Sequence, residues 1–488
     1  MEPTFGTDGV RGRAFDEIDE VVVHALGRAA NRALFANNDA ARWAVGRDTR
    51  ESGLALARAL VAGLRATGAE VIDLGIVPTP VVAFAAQHLD TAGAMVSASH
   101  NPWQDNGVKL FAAGGTKLSD AEQAGVAGCL DDLRLTHGDR PSAVEIARRT
   151  DVEPVIDAVA AQVVSPNATA RMLDAYEHSL RAAIDGRTLD GLHLVLDGAN
   201  GASASLAPAV LQRLGAQVTA LFCEPDGRNI NDGCGSVNPG ALGAAVLDVS
   251  ADLGLAFDGD GDRLIAVDSE GQVIDGDRQM ALFAVDLAER GLLAGDTLVV
   301  TVMSNLGLRR AMAAAGIDVV TTAVGDRAVL EALETGGHRL GGEQSGHVVF
   351  RHEATTGDGL RSAVHLADLV ARRAAGAVSR TSAAVSDGPA RTSAAVSHGP
   401  ALTSAELASQ AMQVAPQVLR SVPGSSRSLT DEIQRAVDGI AAGAGPDVRV
   451  LVRASGTEPV IRIMVEAPTE SEAADLVDRL ADVIVDQV

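Results

Sequence analysis

Aromatic side chains are scarce in this chain of 488 residues: they make up only 2% of it, although hydrophobic residues account for 47%. The protein cores must therefore be built from Ala, Val, Leu and Ile, a composition suited to layers of helices and sheets. Since a single core rarely grows beyond 250 to 300 residues, the length predicts about three or four domains of roughly 100 to 150 residues each.

Long apolar runs are also missing. No run reaches the length of about 18 residues that a membrane span requires, and residues 1–20 lack a basic start followed by an apolar stretch. The three cysteines, Cys129, Cys223 and Cys234, are odd in number and lack metal-ligand spacing, which indicates reduced thiols. We expect a soluble cytoplasmic protein with no membrane partner.

Positive charge is in short supply as well. The formal net charge of -24 excludes a nucleic-acid partner, because binding to a phosphate backbone needs a basic face. All but two of the 40 basic residues are arginine, and the two lysines, Lys109 and Lys117, both follow shortly after Ser99. A compact ammonium with a movable pKa offers chemistry that a guanidinium does not, although chance placement is the alternative for each lysine.

Strand-like apolar runs alternate with amphipathic helical stretches through most of the chain, which indicates α/β layers. The alternation forms three blocks along the chain, and the third block is expected to contain the strands Leu253 to Phe257 and Leu264 to Val267. Two tandem eleven-residue copies, residues 380–401, interrupt the pattern with Ser, Gly and Pro and predict a flexible linker. The predicted units are residues 1–160, 161–254 and 255–372 as α/β domains I to III, 373–404 as the linker, and 405–488 as an α+β domain IV.

Chemically distinctive residues fall where predicted strands end. Ser99 follows one strand, Asp258 follows a second and Glu343 follows a third. Because ligand sites in α/β sheets lie at the carboxyl ends of strands, these three loops are expected to converge in one cleft.

Asp258-Gly-Asp260-Gly-Asp262-Arg263 is the most informative of these loops. In an extended segment the three aspartates point to one side, where their repulsion is costly without a cation. An EF-hand is the competing interpretation, but its sixth and twelfth positions are here Arg263 and Ser269 instead of Gly and Glu. Oxygen ligands favour Mg²⁺ over zinc, so the loop predicts a magnesium site.

Ser99-His100-Asn101-Pro102 places a hydroxyl in a predicted turn. Taken alone this segment is equally consistent with a simple turn, and His100 beside Ser99 does not establish a hydrolase dyad. Together with three metal-binding carboxylates, however, a serine nucleophile is what metal-assisted phosphoryl transfer through a phosphoserine requires.

The loop Gly342–His347 offers a carboxylate at Glu343, a hydroxyl at Ser345 and an imidazole at His347. Such a set suits sugar hydroxyls, and an ordinary surface turn is the alternative. These residues are candidate sugar ligands.

A phosphate cradle is predicted near the end of the chain. Arg453, Ser455, Gly456, Thr457 and Arg462 combine two guanidinium groups, two hydroxyls and backbone amides. Such donors hold a phosphate that is not being transferred. An exposed polar hairpin is the alternative.

Several motifs resemble those of the α-D-phosphohexomutase superfamily, and they follow one another in the same order over nearly the whole chain. Gln344 and the segment Phe5–Gly12 point to its glucosamine-phosphate branch. The motifs are Phe5-Gly-Thr-Asp-Gly-Val-Arg11-Gly, Gly46-Arg-Asp-Thr-Arg-Glu-Ser-Gly53, Ser97-Ala-Ser99-His-Asn-Pro, Asp105-Asn-Gly-Val-Lys109, Asp258-Gly-Asp-Gly-Asp-Arg263, Gly342-Glu-Gln-Ser-Gly-His347 and Arg453-Ala-Ser-Gly-Thr-Glu-Pro.

The resemblance implies three similar α/β domains with mixed sheets, and a smaller α+β C-terminal domain, around a central cleft. It also implies a phosphoserine at Ser99, with Asp258, Asp260, Asp262 and the Ser99 phosphate around Mg²⁺. The duplicated insert departs from the family pattern and leaves open the geometry between the third and fourth domains. Candidate catalytic residues are Ser99, Arg11, His100, Lys109, Arg263 and His347.

The expected activity is interconversion of glucosamine 6-phosphate and glucosamine 1-phosphate through a bisphosphate, by a monomer or homodimer. Two alternatives stay open. The substrate could be a mannose or glucose phosphate, or the chain could be a sugar-phosphate sensor without catalysis on the same fold.

Overall fold

The computed structural model describes residues 5–6, 9–35, 41–135, 166–375, 401–424, 429–455 and 459–485. The repeat at 380–401, apart from Ala401, therefore lies outside the described residues, as do Gly456, Thr457 and the predicted boundary at residue 160. In the described part no helix is long and apolar enough to cross a membrane. The cysteines are unpaired, as predicted.

Four sheets follow one another along the chain. The first has six strands in the order β1-β2-β6-β5-β3-β4. Its strands β3, β4 and β5 are parallel, whereas β6 pairs antiparallel with both β5 and β2. The strands are β1 (Phe5–Gly6), β2 (Gly9–Arg13), β3 (Arg42–Arg47), β4 (Glu70–Ile76), β5 (Ala92–Val96) and β6 (Asp105–Phe111).

The second sheet has five strands in the order β11-β10-β9-β7-β8. Strands β8, β7 and β9 are parallel, and β9 turns back into antiparallel β10. The strands are β7 (His193–Asp197), β8 (Gln217–Leu221), β9 (Leu253–Phe257), β10 (Leu264–Asp268) and β11 (Val273–Ile274).

The assignment of β9 and β10 to the third block was wrong. Leu255 of β9 faces Leu196 of β7, so both strands complete the second sheet. A division at residue 254 would cut through this hairpin. Local periodicity predicts each strand correctly. Strand pairing depends on contacts between residues that are far apart in the chain, and a local pattern carries no information about such contacts.

The remaining sheets are smaller. The third has the order β13-β12-β14-β15, with only β14 and β15 antiparallel, and the fourth has the order β16-β18-β17 and is antiparallel throughout. The predicted fold class is therefore confirmed. The strands are β12 (Thr297–Thr301), β13 (Asp318–Thr322), β14 (Leu340–Gly342), β15 (Val348–Phe350), β16 (Gln417–Pro423), β17 (Arg449–Ala454) and β18 (Val460–Glu466).

Helices cover these sheets and bury aliphatic faces against them. Trp43 and the single tyrosine, Tyr176, are both fully buried, whereas Phe15 and Phe222 are exposed. The helices are Glu20–Leu34, Gly53–Arg65, Thr79–Leu89, Asp120–Leu135, Pro166–Ala183, Leu206–Arg213, Gly240–Val249, Gly276–Glu289, Leu306–Ala314, Asp326–Gly336, Gly359–Ala374, Ser404–Ala411, Asp431–Gly443 and Glu470–Val485.

A buried polar joint connects the third and fourth sheets. Asn305 donates to the backbone oxygen of Ala415 at 3.0 Å, and Arg449 donates to the buried carboxylate of Glu466 and to the backbone oxygen of Ser304, both at 2.8 Å. Beside this joint, Asp277 accepts from the Asn305 backbone N–H at 2.7 Å. Burial raises the pKa of Asp277 to about 7.

We expect Asp277→Asn to remove a pH-dependent loss of stability. An unfolded aspartate titrates near pH 3.9. The folded protein therefore binds the extra proton between about pH 4 and 7, and its stability falls as pH rises through that range. The melting temperature of Asp277→Asn relative to the unmodified protein should rise from pH 5 to pH 8. A difference that stays constant with pH, as we expect for exposed Asp318→Asn, would contradict this account.

Candidate active site

Ser99 lies just beyond β5, in a turn that it enters in the left-handed backbone region, with φ of 53°. The side chain is buried, and its Oγ donates to Oδ2 of Asp258 at 2.6 Å. His100 Nδ1 lies 3.4 Å from the Ser99 Oγ. The turn thus presents the hydroxyl directly to the first carboxylate of the acidic loop.

The acidic loop connects β9 to β10 as a tight turn and is not extended, so that part of the prediction was wrong. Gly261, at φ +72°, bends the chain where a Cβ would lie 2.3 Å from Ser203 Oγ. The bend achieves what an extended segment was expected to do: one oxygen from each of Asp258, Asp260 and Asp262 lies within 4.8 Å of the others.

Lys109, on β6, supplies the main positive charge to this cluster. Its Nζ lies 2.7 Å from Oδ2 of Asp260 and 2.8 Å from Oδ2 of Asp262. Burial raises the pKa of Asp258 well above its ordinary value, and Asp262 and Asp260 add to the effect. Burial acts in the same sense on Asp260 and Asp262, but both pKa values lie below the ordinary range. Lys109 lowers them together with Thr79 at Asp260 and with His347 and Arg263 at Asp262.

The three carboxylates fit a divalent cation. Although buried, Oδ1 of Asp260 and Oδ1 of Asp262 have no hydrogen-bond partner among the described residues. Within the described ranges these aspartates form the only group of three acidic, His or Cys side chains close enough to share an ion. Their oxygen ligands match Mg²⁺, which binds through one or more carboxylates together with phosphate oxygens.

The central cleft brings together residues from four loops, two strands and two helices. Arg11, Lys109 and Arg263 line it with positive charge, together with Glu343 and His347. The His347 ring is buried, and within the described part of the chain neither of its nitrogens has a hydrogen-bond partner. Its Nε2 lies 3.6 Å from Oδ2 of Asp326.

His100 and Ser345 differ from the other candidates. Burial, Arg263 and Arg11 lower the pKa of His100 to about 4, so its ring is neutral near pH 7. Ser345 is exposed and does not line the cleft with Glu343 and His347.

Arg453 and Arg462 lie opposite each other on β17 and β18, in a separate groove that Met303 also lines. Burial and then Arg462 lower the pKa of Arg453. Two facing guanidinium groups repel each other, so a bound anion would be stabilised here. Ser455 is the first residue after β17.

Three contacts at the site involve residues that sequence reasoning missed. Thr79 donates to Asp260, Lys117 contacts Asp326 beside His347, and buried Arg50 donates to the Ser99 backbone oxygen at 2.9 Å. Arg50 stands inside the quoted motif Gly46–Gly53, which was a usable signal. Thr79 and Asp326 belong to none of the quoted motifs.

A fold of three mixed sheets and one small antiparallel sheet, with a serine facing an acidic triad, defines a phosphohexomutase. Family models for the phosphoglucomutase/phosphomannomutase domains match in order: α/β/α domain I at residues 2–136, II at 174–271, III at 275–386 and the C-terminal domain at 424–483. The domain II match includes the acidic loop, in agreement with the pairing of β9.

Curated relatives show to which branch of this superfamily the chain belongs. The chain is 45% identical to a phosphoglucosamine mutase of Frankia alni over 99% of this chain and 98% of the relative, and 45% identical to one of Saccharopolyspora erythraea over 99% of each. The chain belongs to the phosphoglucosamine mutase family.

Solved structures share the fold. A phosphoglucomutase/phosphomannomutase family protein from Burkholderia thailandensis superposes with a TM-score of 0.73 at 25% identity, covering 99% of this chain and 96% of the other. An N-acetylphosphoglucosamine mutase from Aspergillus fumigatus, solved with GlcNAc-6P and magnesium, gives a TM-score of 0.66 at 18% identity, covering 100% and 96%.

We expect Asp260→Asn to abolish magnesium binding, because it removes one ligand charge and also one of the two carboxylates that Lys109 contacts. Magnesium should raise the melting temperature of the unmodified protein, since a ligand that binds only the folded state stabilises it, and should leave that of Asp260→Asn unchanged. Exposed Asp248→Asn is the matched control and should respond normally. Full turnover in excess chelator would contradict the assignment.

Proposed function

We propose that the protein interconverts glucosamine 6-phosphate and glucosamine 1-phosphate in the cytoplasm, through a phosphoserine at Ser99 and a bisphosphate intermediate. This reaction is a step toward UDP-N-acetylglucosamine and the cell wall. The observation that carries the proposal is the buried Ser99 hydroxyl 2.6 Å from Asp258 in a three-carboxylate cluster. The names of the curated relatives support the choice of sugar.

In the first half-reaction the bond from phosphorus to Ser99 Oγ breaks, and a bond forms from phosphorus to the free hydroxyl of the sugar phosphate. His347, whose ring nitrogens have no hydrogen-bond partner among the described residues, accepts the hydroxyl proton, and the Ser99 oxygen leaves as an alkoxide. In the second half-reaction this alkoxide attacks the other phosphate, and His347 returns the proton to the sugar oxygen that is released. The second half-reaction transfers the other phosphate back to Ser99.

Charge stabilisation accounts for most of the expected rate, because the transition state for phosphoryl transfer is loose and highly charged. Arg11, Lys109 and Arg263 line the cleft on the side of Ser99. Mg²⁺ held by Asp258 and its two neighbours would supply further neutralisation of the transferring group.

Between the half-reactions the bisphosphate turns, so that each phosphate in turn occupies the transfer site and a distant holding site. We place the holding site at Arg453 and Arg462, completed by Ser455, Gly456 and Thr457. Its groove is separate from the central cleft, so the C-terminal domain closes over the substrate and opens for the turn.

Glu343 and His347, which line the cleft, are the proposed sugar ligands, whereas exposed Ser345 of the same loop does not line it. The alternatives are a mannose or glucose phosphate as substrate and, from another class, a sensor without catalysis. The presence of the nucleophile, the full acidic triad and Lys109 at one place favours an enzyme over a sensor. The acting unit is a monomer or homodimer with no nucleic-acid partner.

Parallel steady-state rates on glucosamine, glucose and mannose 6-phosphates test the proposal. We expect glucosamine 6-phosphate to have the highest kcat/KM, intact-mass analysis to find phosphate on Ser99, and Ser99→Ala to be inactive because it lacks the phosphate acceptor. Preference for another sugar would overturn the substrate, whereas equal activity in Ser99→Ala would overturn the covalent mechanism.

Arg462→Ala should impair both directions of the mutase reaction together, because the holding site acts in each half-reaction. The expected loss is about 1.5 to 3 kcal/mol of binding to a charged group. Slow hydrolysis of phosphoserine 99 by water should continue at its original rate, as should both activities in exposed Arg435→Ala. A parallel fall in hydrolysis would place Arg462 at the transfer site instead.

A further inference from the structure

The backbone of Ser99 is strained. A residue with a side chain in the left-handed region is strained, and this conformation persists only where its surroundings hold it. On the amide side, Ser99 N donates to Ser97 Oγ at 2.9 Å, and Ser97 Oγ donates to Asp48 Oδ2 at 2.7 Å. These bonds fix one end of the strained peptide.

The carbonyl side is held from two directions. The Ser99 oxygen accepts from Arg50 Nη2 at 2.9 Å and from Asn231 Nδ2 at 2.9 Å. The same two nitrogens donate to the Asn101 oxygen, at 2.8 Å and 3.0 Å. Two donors and two carbonyl oxygens thus form a closed set of four hydrogen bonds around the serine turn.

Both donors are themselves fixed. Arg50 is 1% exposed, and its Nε lies 2.9 Å from Asp48 Oδ2. Asn231 adopts φ of 59°, and its backbone N–H donates to the Ala199 oxygen at 2.9 Å. Each donor is therefore anchored at a second point besides the serine turn.

The two donors also belong to different units of the fold. Arg50 follows β3 of the first sheet, whereas Asn231 lies between β8 and β9 of the second sheet, which also carries the acidic loop. Packing between the loops is already tight, because a Cβ at Gly259 would lie 2.5 Å from the Ser99 oxygen. Asn231 therefore holds Ser99 at a defined position relative to the aspartates of the acidic loop.

We propose that Arg50 and Asn231 are positioning residues that clamp the Ser99 turn and keep Oγ in register with Asp258 while the phosphoryl group leaves and returns. The proposal rests on the proposed function. Its physical reason is that the same oxygen must be leaving group and nucleophile in alternate steps, and a displacement of about 1 Å can reduce a rate about a hundredfold.

Asn231→Gly tests the clamp, because glycine accepts the positive φ and removes only the amide. We expect kcat to fall about ten- to hundredfold, with KM for the sugar phosphate within about twofold, since the proposed sugar and phosphate ligands are elsewhere. Asp232→Gly, at the exposed next position, should leave both constants unchanged. Arg50→Lys keeps the charge facing Asp48 but loses the guanidinium fork, and should resemble Asn231→Gly.

A second readout separates positioning from loss of folding. The ³¹P NMR signal of phosphoserine 99 should shift on Mg²⁺ addition in the unmodified protein, and less in Asn231→Gly at an unchanged melting temperature. An unaltered ³¹P response, or a kcat loss matched by a lower melting temperature, would overturn the clamp. Preference of the unmodified enzyme for another hexose phosphate would overturn the substrate alone, because the same kcat comparison then applies to that sugar.

Discussion

The repulsion between three buried carboxylates is the constraint on which this site depends. Two like charges about 4 Å apart repel by about 4 kcal/mol at the effective dielectric of a protein. Lys109 offsets part of that cost at Asp260 and Asp262, and the Ser99 hydroxyl donates to Asp258. The cluster persists because the fold holds its members rigidly, which prepares it for a cation and a phosphoryl group.

The cluster is held in place where a loop of the first sheet contacts a loop of the second sheet. The serine follows a strand of the first sheet and the acidic turn connects two strands of the second, so neither sheet contains a complete site. Thr79 of the first unit bonds to Asp260 of the second through both its hydroxyl and its backbone N–H. The proposed transfer site thus lies where the first two units contact each other, whereas the arginine pair lies in a separate groove near the C-terminal joint. This division suits a reaction in which one phosphate reacts at a fixed place while the other is held and released.

Much of the fold followed from local patterns. The strand predicted at Leu253 to Phe257 has those bounds, and the strand predicted at Leu264 to Val267 is found at Leu264–Asp268, because side-chain periodicity directly reflects which face is buried. Strand pairing did not follow, and β9 and β10 were placed with the wrong neighbours. For the site, Ser99, the three aspartates and Lys109 were predicted from residue chemistry and motif spacing, and the structure brings them together.

The order of the elements, the aliphatic cores and the candidate reacting groups could be predicted from the chain alone, because these depend on residue type and on neighbours a few positions away. Three other features depend on tertiary contacts: the acidic loop turns sharply at Gly261, His347 is buried beside Asp326, and Asn231 donates to the Ser99 turn. Asn231 and Ser99 are far apart in the chain, and the bond between them ends on a backbone oxygen, which every residue carries. A contact of that kind has no signature in the sequence of either partner, and it exists only once the two sheets have met.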